Sequence, residues 1–261
     1  MGVSYTTFTE SWMKRLDNKI AVVTGASSGI GRSIVERFVA EGAQVVAFAR
    51  NAQSLRALEA AHDGRVVAVS GDVTRQDDLE RLLEVTLEMV GAIDILVPNA
   101  GIARVASFEN STAEAFATQF SVNFFGAAET ARLFVPHIRK GGSIQFITTF
   151  LMQEEFPGLA IYSASKAALK SLSQTLAAEL APKCIRVNSI APGPIATALW
   201  STVGLEPDAL GEVAEKINAR LMQGAFGQPE DIAETAVFLA SNAARNIYGR
   251  EIVVDGGYTI G

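Results

Sequence analysis

The sequence of 261 residues holds one cysteine, Cys184, and two histidines, His62 and His137, that stand far apart. A single thiol excludes an intrachain disulfide, and so few soft ligands argue against a zinc centre. Basic residues are outnumbered, with 22 Lys and Arg against 28 Asp and Glu. The net charge of −6 supplies no basic face, so nucleic acid is not expected as the main partner. No run of about 18 apolar residues occurs, so no membrane span is expected. The N-terminus lacks the basic-then-apolar pattern of a signal peptide. Internal repeats, low-complexity stretches and linkers rich in Pro, Gly or Ser are missing as well. A reducing, cytoplasmic setting fits this composition best.

What is present is a globular composition, 49% hydrophobic and 19% charged, long enough to bury one sizeable core. Residues 1–13 are polar and aperiodic and read as a flexible arm, although Met1-Gly2-Val3-Ser4-Tyr5-Thr6 loosely matches a myristoylation pattern. Residues 14–261 read as a single domain. Ile20-Ala21-Val22-Val23 is a short apolar strand, and helical spacing follows at 32–41. The alternation continues with strand 44–49, helix 52–61, strand 65–70, helix 75–90, strand 93–97, helix 112–139, strand 143–148, helix 162–181 and strand 185–190. A long loop with helical pieces at 207–222 and 229–241 leads to a last strand at 250–254. Apolar strands alternating with helices predict an α/β, doubly wound Rossmann fold with a parallel sheet covered on both faces.

The first strand runs into Thr24-Gly25-Ala26-Ser27-Ser28-Gly29-Ile30-Gly31 and then a helix. This is the first half of a dinucleotide-binding unit. Gly25 permits the tight turn, Gly29 a close approach of backbone to pyrophosphate, and Gly31 close packing of helix on strand. NAD binders usually place an acid about 20 residues on, to hold the ribose hydroxyls. No acid occurs from Val45 through Ala52, and Arg50 stands at the end of the second strand. A guanidinium there would meet a 2′-phosphate, which favours NADP(H) over NAD(H). Ser28 weighs the other way, because a second basic residue is often found at that spot in NADPH binders.

Tyr162 and Lys166 lie four apart in Tyr162-Ser163-Ala164-Ser165-Lys166, on one face of a helix about 6 Å apart along its axis. An ammonium beside a phenol favours the phenolate, so the Tyr162 pKa is expected to fall toward working pH. A tyrosine tuned in this way is a general acid or base for a carbonyl/alcohol pair.

Together with Gly71-Asp72-Val73, Asn99-Ala100-Gly101, Val122-Asn123, Arg186-Val187-Asn188-Ser189-Ile190-Ala191-Pro192-Gly193 and Val254-Asp255-Gly256-Gly257, these segments resemble the short-chain dehydrogenase/reductase family from about residue 14 to 261. The resemblance implies a catalytic set of Asn123, Thr149, Tyr162 and Lys166, with Asn123 holding a water linked to the lysine. It implies cofactor contacts from Gly25, Ser27, Ser28, Gly29, Ile30 and Gly31, and from Arg50. Asp72 and Val73 would bracket the adenine, and Asn99, Ala100 and Gly101 would close over its ribose. Tyr162 and Lys166 would meet the nicotinamide ribose, and Pro192, Gly193, Ile195 and Thr197 the nicotinamide carboxamide. Asp255 and its glycines would be structural. A homotetramer or homodimer is implied, with helices such as 112–139 and 162–181 between subunits. Two residues depart from the family pattern. Pro98 replaces an asparagine and removes one backbone donor. Thr149 stands where the family carries a serine, keeping the hydroxyl but adding a methyl and a stiffer χ1. Thr148 is adjacent, but in an extended strand neighbours point to opposite sides.

Phe150, Leu151, Met152 and Phe156, with Leu199 and Trp200 in the loop at about 194–227, suggest an apolar lining for a hydrophobic or cyclic ketone or aldehyde. Leu199 and Trp200 read equally well as a lid packed on its own core. Glu154 and Glu155 would disfavour anionic acyl groups. Arg104 would favour them, though it reads rather as a surface charge. A 3-oxoacyl carrier-protein reductase is one alternative; a nucleotide-binding regulatory subunit of weak activity is another.

Overall fold

The computed structural model describes residues 14–204 and 206–261. The arm at 1–13, with its myristoylation pattern, lies outside them. β1 (Ile20–Thr24), β2 (Gln44–Ala49), β3 (Val66–Ser70), β4 (Ile93–Val97), β5 (Ile138–Ile147), β6 (Arg186–Pro192) and β7 (Glu251–Val254) form one sheet. Its order is β3-β2-β1-β4-β5-β6-β7 and every pairing is parallel. Successive side chains along each strand enter opposite cores, which is why the strands read as continuous apolar runs. Val23, Val45, Ala47 and Val97 meet α1 (Gly29–Ala40), α2 (Ala52–Ala60) and α8 (Pro229–Ala240) on one face. Val22, Val46, Phe48 and Phe146 meet α3 (Gln76–Val90), α5 (Ala127–Phe134) and α6 (Ala160–Leu180) on the other.

The expected helix 112–139 is not continuous. It divides into α4 (Ala113–Phe120), a π-helical turn over Ser121–Gly126, and α5, and it ends before a short turn at Val135–His137. Pro136 lacks the N–H that another helical turn would require. β5 therefore starts at Ile138 rather than 143, and its pairing with β4 shifts register between Ile93 and Ile95. Gly141, at φ +87°, sits in that irregularity. Asp94 collects the neighbouring strand ends by accepting from the Ile20 amide (3.0 Å), Lys19 Nζ (3.0 Å) and Arg139 Nη1 (2.8 Å).

At the N-terminal edge Arg15 bridges Glu41 at the end of α1 and Glu234 on α8. The hydrogen bond from Arg15 holds the Glu41 carboxyl down at about 2, against the partial burial that raises it. A depressed carboxylate contributes stability that is complete above its unfolded value near 4.5 and is lost as pH falls through about 2. Glu41→Gln should therefore lower the urea midpoint at neutral pH and flatten its fall between about pH 5 and pH 2. Parallel pH dependence in the two proteins would remove Glu41 from the acid limb.

Candidate active site

β1 ends at Thr24, and α1 begins at Gly29 with extended Ser28 as its N-cap. Among the described residues no side-chain bond from Ser28 caps the helix. The first N–H groups of α1 lack intrahelical partners by geometry, so they and the helix dipole form an anion cradle. Gly25 and Gly29 hold left-handed φ values of +67° and +53°. A Cβ on Gly31 would run into the Gly25 carbonyl and the Asn99 amide. Over this turn lies Thr197, whose side chain would stand 3.3 Å from a Cβ on Gly29.

The turn is one wall of a cavity of about 510 Å³ that crosses the ends of the strands. Every expected cofactor residue borders it: Gly25, Ser27 to Gly31, Arg50, Asp72 and Val73, Asn99 to Gly101, Tyr162, Lys166, and Pro192, Gly193, Ile195 and Thr197. The Thr24 hydroxyl, itself buried, accepts from the amides of both Asn99 and Ala100 at 3.1 Å. Asn99 Nδ2 donates to the Thr24 and Gly25 carbonyls at 2.9 and 3.3 Å. Pro98 leaves this loop intact. At the far rim the Arg50 guanidinium is largely exposed and lies 3.9 Å from Asp72. A glycine cradle, free helix N–H groups and a long cavity with a cation at one end fit a dinucleotide.

α6 presents Tyr162 and Lys166 to the other end of the cavity. Thr149, buried just past the end of β5, borders the cavity with Tyr162, and its hydroxyl favours the ionised phenol. Thr148 faces away, donating to Glu251 Oε1 at 2.8 Å and contacting the Ile190 carbonyl at 3.1 Å. Lys166 Nζ donates to the Ile147 carbonyl at 2.7 Å. The expected fall of the Tyr162 pKa is not found. Burial pushes the phenol up against the smaller pull of the Thr149 hydroxyl, and burial pushes the Lys166 ammonium down to about 8. Both groups share one desolvated pocket, which penalises the charged form of each.

Asn123 is fully buried in the π-helical turn and does not border the cavity. Its Oδ1 accepts from the Ile102 amide (2.8 Å), and its Nδ2 donates to the Ile102 carbonyl (2.9 Å) and Ser165 Oγ (3.0 Å). Both amide hydrogens are thus committed to clamping the loop after β4 onto α6. A Cβ on Gly101 would lie 3.3 Å from Asn123 Oδ1 and 3.4 Å from Lys166 Nζ, so the three converge.

The remaining wall is apolar. Phe150, Leu151, Phe156 and Leu199 border the cavity as expected, whereas Met152 does not. Trp200 serves both roles read from the sequence. It borders the cavity, and it is also fixed in the lid's own core by an Nε1 bond to the Ile195 carbonyl (2.8 Å) and an edge contact on Phe226. Val105, Val203, Val213 and Ile217 complete this wall and were unmarked by any motif. Asn51 also borders the cavity, and its position just past β2, at a strand's carboxyl end, could have signalled it. One expectation about charge is corrected. Glu154 is neutralised by a bidentate pair with Arg220, whose guanidinium also lies 4.6 Å over the Tyr258 ring. Arg104 is exposed, the surface charge expected of it, and its guanidinium donates to the Ala103 and Thr202 carbonyls. Among the described residues no cluster of His, Cys, Asp or Glu is placed to hold a metal, and no helix is long and apolar enough to cross a membrane.

A family model described as enoyl-(acyl carrier protein) reductase matches residues 25–259. An uncharacterized oxidoreductase of Methylorubrum extorquens is 36% identical over 250 residues, covering 94% of this chain and 99% of the relative. A 3-oxoacyl-[acyl-carrier-protein] reductase of Thermotoga maritima is 34% identical over 251 residues, covering 94% and 100%. A crystal structure of a short-chain dehydrogenase/reductase from Brucella melitensis, described as a glucose/ribitol dehydrogenase, superposes with a TM-score of 0.88 at 30% identity, covering 95% of this chain and 99% of its own. The chain belongs to the short-chain dehydrogenase/reductase family. It is thus an NAD(P)-dependent oxidoreductase, and the cavity across the strand ends is where such a dehydrogenase/reductase has the residues to hold its dinucleotide.

The glycine contacts give a paired test of the cradle. Gly31→Ala should lower stability by about 1–3 kcal/mol through overpacking and abolish binding of NADPH, followed by its fluorescence. Gly211→Ala, in α7 (Pro207–Arg220) with open space around its Cα, should leave binding unchanged and raise stability by up to about 1 kcal/mol.

Proposed function

We propose that this enzyme is an NADPH-linked reductase of uncharged, hydrophobic or cyclic ketones and aldehydes, interconverting them with their alcohols. The observation that carries this reading is the Thr149–Tyr162 hydroxyl pair, backed by Lys166, at the boundary between the dinucleotide cavity and an apolar wall. A carbonyl oxygen placed between the two hydroxyls would accept a hydrogen bond from each. A dihydronicotinamide, when bound, would supply the hydride for the carbonyl carbon. Tyr162 would give its phenolic proton to the oxygen, and Lys166 would hold the nicotinamide ribose and stabilise the phenolate left behind. Positioned proton transfer of this kind contributes on the order of 10²–10⁴ in rate. Burial suits the reductive direction, because it keeps the phenol protonated and able to donate at neutral pH.

NADPH is favoured over NADH by Arg50 at the adenosine end, together with the missing acid after β2. Asp72, 3.9 Å from Arg50, orients the guanidinium at the rim where a 2′-phosphate would sit. The similarity to the Thermotoga maritima reductase supports a second reading, a 3-oxoacyl carrier-protein substrate. Against it stands the helix after Lys166, where Ala177-Ala178-Glu179-Leu180 offers no cation to an acidic carrier. An assembly of two or four copies remains the expected state of the enzyme.

Following NADPH absorbance with cyclic ketones, quinones and 3-oxoacyl thioesters tests the reading directly. Turnover is expected with the neutral ring-bearing carbonyls, and tight NADPH binding without any turnover would favour the regulatory alternative. Tyr162→Phe should retain NADPH binding and lose at least about 10²-fold in kcat. Thr149→Ser should keep activity, whereas Thr149→Ala should lose about 10–100-fold, the worth of one hydrogen bond to a developing charge. Arg50→Ala should raise the Kd for NADPH about tenfold and leave that for NADH nearly unchanged. Equal effects on the two cofactors would refute the assignment of Arg50.

A further inference from the structure

A second charged pair lies directly behind the proposed catalytic pair and has no part in the mechanism above. Tyr162, Lys166 and Lys170 follow one another at intervals of four along α6, so Lys170 stands one turn, about 6 Å, beyond Lys166 on the same face. Lys170 Nζ donates to Glu251 Oε2 at 2.6 Å, and the Glu251 side chain is only 8% exposed. The other carboxylate oxygen, Oε1, accepts from Thr148 at 2.8 Å. Glu251 opens β7 and pairs with Ser189 of β6. One carboxylate therefore joins the helix of Tyr162 to Thr148, which lies just past β5 and next to Thr149. Burying a carboxylate costs free energy unless it is paired and hydrogen-bonded, and a neutral side chain would tie β7 to α6 more cheaply.

We propose that Lys170 and Glu251 are positioning residues for carbonyl reduction: paired one helical turn behind Lys166, they balance the charge felt by the Tyr162–Lys166 pair. The inference rests on the reading of Tyr162 as proton donor. The other charged groups around the pair are already committed. Arg104, from the loop after β4, is spent on backbone carbonyls, and Arg220 of α7 is paired with Glu154. Asp255, after β7, accepts from Gly257 and Thr259, and Tyr258 packs in the same apolar cluster as Tyr162. An ammonium left unpaired at Lys170 would favour loss of the proton from both Lys166 and Tyr162. A carboxylate left unpaired at Glu251 would oppose it.

The test is a titration of phenolate absorbance, read as the difference between each protein and its Tyr162→Phe derivative, so that it needs no substrate. Glu251→Gln should lower the apparent pKa of Tyr162 and Lys170→Met should raise it, each by about one pH unit. Lys170→Arg should stay at the wild-type value, and so should the double variant K170M/E251M, whose apolar pair removes both charges without leaving either one buried alone. In turnover the same opposite displacements should appear in the pH profile of kcat, with the Kd for NADPH unchanged. Single variants that leave the titration in place, or move it in the same direction, would overturn the inference and reduce the pair to a structural tie. Should a single variant not fold, the double variant still decides, because a lost or displaced Tyr162 titration in it is incompatible with charge balance. Absence of turnover in the wild-type enzyme with every carbonyl would instead count against the proposed function, which the absorbance titration keeps separate.

Discussion

The hydroxyl of Thr24 is the fixed point of the molecule. In the sheet order β3-β2-β1-β4-β5-β6-β7 the chain winds outward from β1 in one direction and from β4 in the other. The connections leaving these two strands diverge and open a crevice at their carboxyl ends. Without a bridge, the amides of the loop after β4 would be buried there with nothing to bond. Thr24 accepts two of them, and the Asn99 side chain returns the contact to the Thr24 and Gly25 carbonyls. Each such buried bond contributes only about 1 kcal/mol net, while leaving its donor unsatisfied costs more. The staple thus sets the spacing of the two walls between which the dinucleotide cavity lies.

From this edge the order of polar contacts runs inward along α6. Lys166 is bonded to β5, Lys170 to β7, and Ser173 to Ser189 of β6 at 2.7 Å. Three successive side chains on one helix face meet three strands, so neither a slide nor a rotation of α6 is free. The phenol of Tyr162 is carried at the end of that helix and inherits its rigidity. Asn123 fixes the same helix from the other side through Ser165. The widened π-helical turn around Asn123 is an interruption in helical register, and such turns are frequent at functional sites.

Much of this was legible in the sequence because it follows from hydrophobic pattern and glycine chemistry. The alternation of strands and helices, the turn at Gly25 to Gly31 and the face shared by Tyr162 and Lys166 are periodic or steric signals. The helix expected over 112–139 shows where such signals stop. An α-helix and a π-turn bury much the same side chains and differ in hydrogen-bond register, so Ser121–Gly126 carries no separate mark. Pro136 did carry one, as a residue that ends helices. The pKa of Tyr162 went astray for another reason. Spacing shows that a lysine is near, but the sign of the shift depends on how dry the pocket is, and the dry surroundings come from residues as distant as Leu151 and Ile217. The Lys170–Glu251 pair was invisible, since 81 residues separate its members.

The ties of the lid bear on the proposed choice of a neutral substrate. Glu154 and Arg104 looked like opposed influences on an anionic group. Instead each secures one end of the segment that covers the pocket: Arg104 through the Thr202 carbonyl, Glu154 through Arg220 on α7. The amide of Val105 adds a bond of 2.8 Å to the Val203 carbonyl beside the first of these ties. An anionic substrate would have to take an arginine from its partners and so loosen the lid that must exclude water during hydride transfer. A neutral carbonyl asks nothing of either arginine. On the proposed reading it would need only the two hydroxyls of Thr149 and Tyr162 and the apolar surface of Phe150, Leu151 and Trp200, all of which border the cavity.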